Sequence, residues 1–339
     1  MNWTQFFDQA KAGHIARVYL FTGPENYVKQ SALARLREKL LPAGLEALNE
    51  SPLEGAPAQA IIEACETLPV MGERRLVVAR DFAPLMPGKA KDEEEESSRL
   101  CQWLPQAPDT CCLVFYLRDA FDARKKLSAF LVRQGAQVNF DSLTDAQLDK
   151  WLSEQARLRG GGIRPDAARQ LVFLAGRDLS RLGGELDKLC AYAGSAPVTR
   201  AMVDKLAVPS LEANVFRMVD SLMEGRAAQA FSLLKSMKQN GETPLGILYM
   251  LTRQVRMLTH FSLLRAQGQP LPAIQSALAL SPYLLQRLET QAARFSPDRL
   301  QALYQACAQA EYRVKSGQAR DQAALDQLLL TLAQPPISH

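Results

Sequence analysis

The stretch that decides the fold is VYLFTGPENYVKQSAL, residues 18–33. Its β-branched and aromatic residues predict a strand, its glycine a turn, and the rest a helix. Nucleotide-binding proteins hold phosphate at such a junction. Their loop has Gly, four residues, Gly-Lys and then Ser or Thr. Counted from Gly23, the last three positions are Val28, Lys29 and Gln30, so only Gly23 and Lys29 match.

The departures from the pattern would disable a phosphate site. Val28 carries a Cβ where the backbone must bend around phosphate oxygens, and Gln30 lacks the compact hydroxyl that binds magnesium. Glu25 would place a carboxylate at the helix N-terminus, which favours negative charge. The sequence therefore indicates either a degenerate nucleotide loop without its chemistry or an ordinary turn between a strand and a helix.

Short apolar runs alternate with segments of helical periodicity up to residue 140. Near-continuous apolar strands that alternate with helices form parallel sheets covered on both faces. We therefore predict an α/β domain over residues 1–140. Its predicted strands are 17–22, 74–80, 111–117 and 136–140, and its predicted helices are about 26–41, 57–68, 97–104 and 123–134.

The strand pattern is absent after residue 141, and helix signals follow one another. Thr144 can cap a helix that ends at glycines 160–162, Pro165 can open the next helix, and a third stops at Gly194. We predict a small helical domain over 141–210, a linker at VPSLEAN (208–214), and a helical domain over 211–339. The last contains one long helix from GETPLGILYM onward and later helices at 283–294, 298–315 and 320–333.

Composition narrows the class of protein. A chain of 339 residues is too long for one ordinary core, which predicts two or three domains. The hydrophobic share of 47% and the charged share of 22% are typical of globular proteins. Because the formal net charge is only +4, a case for nucleic-acid binding depends on where the positive charges lie.

Cysteine and histidine usage argues against a metal site. The six cysteines form no Cys-x-x-Cys pair, and the chain has only three histidines. We therefore predict no zinc site and interpret the cysteines as reduced core residues. The sequence shows neither a signal peptide nor an apolar run near 18 residues, so we expect a cytoplasmic location.

Motifs for catalysis are incomplete. Ser232 and Lys235 fit Ser-x-x-Lys without its companion motifs, and neither a Gly-x-Ser-x-Gly nor a His-Glu-x-x-His pattern occurs. Asp81 ends a predicted strand, as a magnesium ligand of an ATPase does, but Phe82 replaces the second carboxylate that activates water. We predict no catalytic residue and no cofactor.

Two charged features leave their interpretation open. The acidic run KDEEEESSRL (91–100) is typical of a loop and a solvated helix start. Basic residues in the C-terminal helices either follow a phosphate backbone or form ordinary solvated faces. The basic residues are Arg253, Arg256, Arg294, Arg299, Arg313, Lys315 and Arg320, of which we take Arg253, Arg256, Arg313 and Lys315 as candidate DNA contacts.

Several segments, taken in order, resemble the delta subunits of bacterial DNA polymerase III, a family of clamp-loader proteins. They are VYLFTGPENYVKQSAL, LPVMGERRLVVARDF, AGRDLSRLGGELDKLCAYAG, NVFRMVDSLMEG, GETPLGILYMLTRQVRML and VKSG (314–317). The resemblance covers nearly the whole chain. It implies α/β plus all-α architecture: a degenerate AAA+ domain with a RecA-like parallel sheet, a small helical lid domain and a C-terminal helical collar domain for oligomerisation.

The resemblance also implies a function. Such a subunit binds and opens the ring-shaped sliding clamp (beta), while ATP is hydrolysed by neighbouring gamma or tau subunits of a loader that also contains delta prime. The assembled loader then places the clamp on primed DNA during replication. This chain would be a subunit without its own catalytic site in a DNA-directed DNA polymerase holoenzyme, a nucleotidyltransferase, with no membrane partner.

The clamp-binding wedge of the family corresponds to LPVMGERR (68–75) in this chain. Val70 and Met71 match its apolar pair, Leu68 supports them, and Met71 stands where an aromatic residue is frequent. We call residues 68–71 the apolar tip. Arg74 and Arg75 are expected to belong to the surrounding binding surface.

Local chemistry fits this placement without deciding it. Pro69 ends the preceding predicted helix, which leaves Val70 and Met71 in a short loop before Gly72. Their side chains either point outward or fold back over the sheet. Methionine is adaptable enough to fill an irregular pocket on a partner.

Three other classes of protein stay open on the sequence. One is an active NTPase or helicase-like motor, and a second is a degenerate AAA+ DNA-binding adaptor. The third is a stator subunit similar to delta prime, although that protein usually has zinc-binding cysteines and a Ser-Arg-Cys motif, which this sequence lacks.

Overall fold

A computed structural model describes residues 1–88, 92–118 and 121–333. The chain divides into two compact units, one ending at Leu143 and the other beginning at Thr144. The predicted α/β domain corresponds to the first unit. The predicted lid and collar both fall in the second unit, so their separation into two domains stays a prediction.

The first unit contains one parallel sheet. Its strands are β1 (Val18–Thr22), β2 (Glu50–Glu54), β3 (Arg75–Arg80), β4 (Cys111–Tyr116) and β5 (Gln137–Asn139), and they lie in the order β2-β3-β4-β1-β5. Its helices are α1 (Trp3–Lys11), α2 (Asn26–Leu40), α3 (Glu46–Asn49), α4 (Ala58–Glu66), α5 (Glu93–Trp103) and α6 (Lys126–Arg133). This arrangement confirms the predicted α/β class.

Side chains of the strands are buried alternately on the two faces of the sheet. On one face, the ring of Phe6 in α1 packs edge-on against Tyr19 and Phe21 of β1, with centroids 5.3 and 5.4 Å apart. On the other face, Leu20 belongs to a core cluster with Ile61 of α4 and Leu127 of α6. Because both faces are covered, each central strand must be apolar at almost every position.

The sequence pattern missed β2. This strand, ESPLE, lies at the edge of the sheet, where Pro52 pairs with Val78 of β3. Proline is tolerated at a sheet edge because its missing N–H is not needed on the outer side. Glu50 and Glu54 are also tolerated because the residues of this edge strand are only partly buried or exposed. β2 therefore lacks the apolar run that marks the other strands.

Helix α5 begins earlier than predicted. Its first turn consists of four glutamates, Glu93 to Glu96, so most of the acidic run is helix and not loop. The positive end of the helix dipole stabilises such carboxylates. Lys91, at the start of that run, lies outside the described residues.

The second unit is almost entirely helical. Its helices are α7 (Asp145–Leu158), α8 (Pro165–Ala175), α9 (Leu179–Ala193), α10 (Arg200–Leu206), α11 (Leu211–Met223), α12 (Ala227–Gln239), α13 (Pro244–Ala266), α14 (Leu271–Leu278), α15 (Pro282–Ala292), α16 (Pro297–Lys315) and α17 (Asp321–Ala333). Two short parallel strands, β6 (Gly162–Ile163) and β7 (Pro197–Val198), also occur, so the predicted absence of strands after residue 141 was wrong.

Capping residues confirm most of the predicted helix starts. Thr144 forms a capping box with Gln147 at the start of α7, and Pro165 is the first residue of α8. The predicted linker VPSLEAN was partly wrong, because the Ser210 side chain caps α11 and the residues from Leu211 onward are helical.

The long helix α13 lies at the centre of the core formed by helices α11 to α17. Ile247, Leu251, Val255 and Leu258 recur at spacings of four, four and three residues, and all are buried. They pack in one cluster with residues of α11, α16 and α17. This confirms the predicted long amphipathic helix.

Polar and aromatic contacts join α8 to α15 within the second unit. The Gln170 side-chain oxygen accepts hydrogen bonds from the Tyr283 hydroxyl at 2.8 Å and from Arg287 at 2.9 Å. The Arg287 guanidinium also stacks on Phe173, 3.8 Å from its centroid. These contacts cross the predicted boundary near residue 210.

Within the described part of the chain, the helices are too short or too polar to span a bilayer.

The turn after β1 provides a stability test. We expect Gly23→Ala to lower the free energy of unfolding by about 3 kcal/mol, because a Cβ would overlap the Phe140 carbonyl and φ is +103°. Gly13→Ala is the matched control, since its φ is +85° but its Cβ would meet open space. Equal losses in urea unfolding would show that crowding at Phe140 contributes nothing.

Candidate functional site

The lysine of the degenerate nucleotide loop is bonded to the protein backbone. Lys29 is fully buried, and its Nζ donates hydrogen bonds to the carbonyl oxygens of Gly23, Leu117 and Arg118 at 2.7, 2.6 and 3.1 Å. The same ammonium lies 5.4 Å from the centroid of the Tyr116 ring. Backbone carbonyls therefore accept the hydrogen bonds that the lysine of a working loop donates to phosphate oxygens.

The other loop residues also have structural roles. Gly23 is required because its φ is +103° and a Cβ would overlap the Phe140 backbone. Val28 is buried in the core, whereas Gln30 is exposed. This geometry is compatible with both open interpretations, a degenerate nucleotide loop and an ordinary turn between a strand and a helix, so the choice between them stays a prediction.

The acidic residue after β3 is paired with an arginine. The Arg118 backbone N–H donates to Asp81 Oδ1 at 2.8 Å, and the Arg118 guanidinium forms ion pairs with Asp81 and Glu54. Hydrogen bonds to Asp81 and Glu54 raise the pKa of Arg118. Phe82 is buried. Asp81 is thus paired with a cation that magnesium would have to displace.

A shallow cleft of about 390 Å³ lies beside this ion pair. The residues that line it come from the end of β1 and the turn after it, the start of α2, the segment between β4 and α6, and β5; they are Thr22, Gly23, Pro24, Asn26, Arg118, Phe121, Gln137 and Asn139. Among the described residues, none of the His, Cys, Asp and Glu side chains cluster in a group that could hold a metal ion.

The apolar tip lies between α4 and β3. It precedes the amino end of β3, whereas the cleft lies near the carboxyl ends of β1 and β4. Leu68 and Met71 are 72% and 86% exposed, and Val70 is 42% exposed. Met71 has a left-handed backbone with φ of +52°. The side chains therefore point outward and do not fold back over the sheet. Exposed apolar side chains this close together are typical of an interaction surface.

The two arginines after the tip contact the protein itself. The Arg74 guanidinium donates to the carbonyls of Ile15, Ala16 and Cys111 at 3.0, 3.1 and 2.9 Å. Its predicted contact with a partner stays a prediction, although these bonds already hold its side chain.

The expectation that Arg75 lies on the binding surface was wrong. Arg75 is only 6% exposed, and it donates to the Ser51 hydroxyl at 2.8 Å and to the carbonyls of Thr67 and Leu68 at 3.4 Å. The Arg75 guanidinium therefore lies under the tip and bonds two carbonyls of the segment that follows α4.

Sequence reasoning missed Asn49, the last residue of α3. Its side chain is fully buried, and its Oδ1 accepts a hydrogen bond from the Val70 N–H at 2.7 Å. Its Nδ2 donates to the carbonyls of Val70 at 3.0 Å and of Leu45 at 3.1 Å. An asparagine at the end of a short helix carries no sequence signal for such a contact 21 residues away.

Two buried thiols lie near the base of the tip. The Cys65 thiol is hydrogen-bonded to Cys111, and this bond, with the nearby Arg75 and Arg74, lowers the pKa of Cys111. Burial raises the pKa of the Cys112 thiol to about 12. All six cysteines are free of disulfide bonds in the structure, and all but the half-buried Cys101 are buried.

The candidate DNA contacts lie on two helices that pack together, α13 and α16. All four are exposed. Arg253 forms an ion pair with Glu212 at 3.1 Å, Arg313 donates to Gln327 at 2.7 Å, and Lys315 pairs with Glu311 at 3.4 Å. Exposed pairs of this kind contribute little, so a phosphate could replace them at small cost. A role in DNA binding stays a prediction.

Comparisons with known proteins agree on one family. Residues 19–141 match the model described as DNA polymerase III, delta subunit, and residues 212–332 match DNA polymerase III delta subunit, C-terminal domain. DNA polymerase III subunit delta of Bacillus subtilis is 27% identical over 327 residues, which is 95% of this chain and 94% of that protein.

A solved structure has the same fold. The Bacillus subtilis DNA clamp loader delta protein matches with a TM-score of 0.62 and 25% identity, over 98% of this chain and 99% of that one. This confirms the predicted fold class and the resemblance. The two family models together cover most of the sequence, and this chain belongs to the DNA polymerase III delta-subunit family.

Proposed function

We propose that this chain is the clamp-loader subunit that binds the sliding clamp through the apolar tip and opens it. The observation that supports this most directly is the exposure of Leu68, Val70 and Met71 on a short loop whose backbone is held by buried side chains. An apolar pocket on the clamp would bury these side chains.

The expected binding energy is moderate. Burying Val70 and Met71 would contribute on the order of 3 to 6 kcal/mol, at about 1.5 to 3 kcal/mol each. Nanomolar binding requires about 12 kcal/mol. Leu68 and the polar surface around the tip would supply part of the rest, and in the assembled loader several subunits would share the contact.

Clamp opening would follow from differential affinity. A ligand shifts an equilibrium only by the difference between its affinities for the two states. If the tip fits the open ring interface better than the closed one, binding alone opens the ring. This chain then needs no hydrolysis of its own.

The proposal assigns the ATP-driven steps to other subunits. Two observations support the proposal that this chain neither binds nor hydrolyses ATP. Lys29 is hydrogen-bonded to backbone carbonyls, and Asp81 is paired with Arg118. Its partners would be the beta clamp, the gamma or tau subunits, delta prime and, within the complex, primed DNA. The helices from α11 onward would form the collar, and the location would be cytoplasmic.

Removal of the tip side chains should abolish most clamp binding. We expect the Val70→Ser and Met71→Ser double variant to bind the purified clamp roughly 100-fold more weakly or worse, because the apolar area is no longer buried. Leu158→Ser, which removes a leucine that is 74% exposed in α7, is the control and should bind normally. Undiminished binding by the tip variant in a calorimetric titration would rule out this surface.

Nucleotide titration tests the degenerate loop. The wild-type protein should show no saturable, magnesium-dependent ATP binding. Lys29→Ala should lower the free energy of unfolding by about 2 to 4 kcal/mol, because three buried carbonyls lose a charged donor, whereas the exposed Lys39→Ala should change it little. ATP binding that disappears in Lys29→Ala while stability is unchanged would instead show a working phosphate site.

Salt dependence tests the basic residues. In an assembled loader, replacing Arg253, Arg256, Arg313 and Lys315 by Ala should weaken binding to primed DNA. The slope of log K against log salt should fall by about 0.9 for each DNA phosphate that the variant no longer neutralises. Lys39→Ala serves again as the control. An unchanged slope would exclude these residues from the DNA interface.

A further inference from the structure

Building on the proposed function, we propose that Asn49 is the positioning residue of the apolar tip: its buried side chain holds the Val70 backbone in the conformation that the clamp binds. Asn49 makes no contact with the partner in this proposal. It acts through Val70 and, along the chain, Met71.

One side chain fixes both polar groups of the Val70 backbone. Asn49 Oδ1 accepts from the Val70 N–H at 2.7 Å, and Asn49 Nδ2 donates to the Val70 carbonyl at 3.0 Å. A side-chain amide carries a donor and an acceptor side by side, as a peptide group does. Asn49 therefore holds Val70 much as a neighbouring strand would, in a loop that has no strand partner.

The position of Asn49 is itself fixed. Its Nδ2 also donates to the carbonyl of Leu45 at 3.1 Å, and Leu45 is the N-cap residue of the same short helix. The next residue, Glu50, forms a bidentate ion pair with Arg37 of α2, with N to O distances of 2.6 to 3.0 Å. Because the Asn49 side chain is fully buried, water offers no ready substitute for these bonds.

The tip backbone is restrained on both sides of Val70. Before it, Arg75 bonds the carbonyls of Thr67 and Leu68. After it, Gly72 lies so close to Pro42 that a Cβ would be 2.9 Å from the Pro42 Cγ. Between these anchors Met71 has a φ of +52°, a conformation that methionine rarely adopts and that turns its side chain outward.

Asn49 would therefore contribute to affinity by preorganisation. An apolar loop that is ordered before binding loses less conformational freedom on binding than a flexible one with the same side chains. Removal of the Asn49 amide leaves Leu68, Val70 and Met71 in the sequence but releases the backbone that presents them.

Amide hydrogen exchange in the full-length protein tests the first half of the proposal without the clamp. In Asn49→Ala, exchange at the Val70 amide should become about tenfold faster, because its hydrogen-bond acceptor is gone. Thr67→Ala is the matched control: it removes a hydroxyl that bonds the Glu63 carbonyl at 2.8 Å and leaves Val70 bonded. Equal Val70 exchange in Asn49→Ala and wild type would overturn the proposal.

A double-mutant cycle with the clamp tests the second half. Asn49→Ala should weaken clamp binding about tenfold on its own but cause no further loss in the chain that already carries Val70→Ser and Met71→Ser. The same loss in both backgrounds would make Asn49 a general structural residue and overturn its positioning role. If the Val70→Ser and Met71→Ser double variant binds the clamp as well as the wild type, both the proposed function and the contribution of Asn49 to clamp binding are refuted. The hydrogen-exchange measurement would still show whether Asn49 orders the Val70 backbone.

A second variant leaves Asn49 in place, in case Asn49→Ala does not fold. Gly72→Ala should displace the tip, because its Cβ meets Pro42, and should weaken clamp binding. Pro42→Ala in the same chain removes the obstructing ring atoms and should restore binding. Clamp binding that Gly72→Ala leaves unchanged would show that affinity does not depend on the tip backbone, which would overturn the preorganisation on which the role of Asn49 rests.

Discussion

The first unit depends on the buried ammonium group of Lys29, which joins the carboxyl ends of the neighbouring strands β1 and β4. Its three carbonyl partners belong to the turn after β1 and to the segment after β4. A buried cation of this kind is stable only when the protein supplies its hydrogen bonds, so the turn cannot open to admit phosphate without leaving these groups unpaired. Lys29, which matches a nucleotide motif in the sequence, thus links the ends of two neighbouring strands in this structure.

The surfaces at the two ends of the strands differ: one is polar and the other is apolar. At the carboxyl ends of the strands, the charged side chains are paired within the protein. Lys29 is hydrogen-bonded to carbonyls, and Asp81 and Glu54 form ion pairs with Arg118. Before the amino end of β3, Asn49 and Arg75 likewise bond backbone groups of the protein. The loop that they hold is the exposed apolar tip. Different polar bonds act at the two places: those of Lys29 and Arg118 pair charges beside the cleft, whereas those of Asn49 and Arg75 hold the backbone of the apolar tip.

Much of the fold could be predicted from the sequence because the central strands are buried on both faces and must be apolar. Helix starts at Thr144 and Pro165 were predictable since a cap depends on residues within one turn. The contacts of the tip were less accessible. Arg75 was expected at the binding surface because it closely follows the tip in the sequence, yet its partners come from β2 and from the segment after α4. Asn49 gave no signal because its role depends on a backbone group far along the chain.

Strand β2 was overlooked for a related reason, and its composition has a consequence for the whole chain. Its outer edge would be an open template for hydrogen bonding by a strand of another molecule. Pro52 interrupts that template because it has no N–H to donate, while Glu50 and Glu54 are held in ion pairs with Arg37 and Arg118. The proline that conceals β2 from a pattern search thus also makes the outer edge of this strand a poorer template for a strand of another molecule.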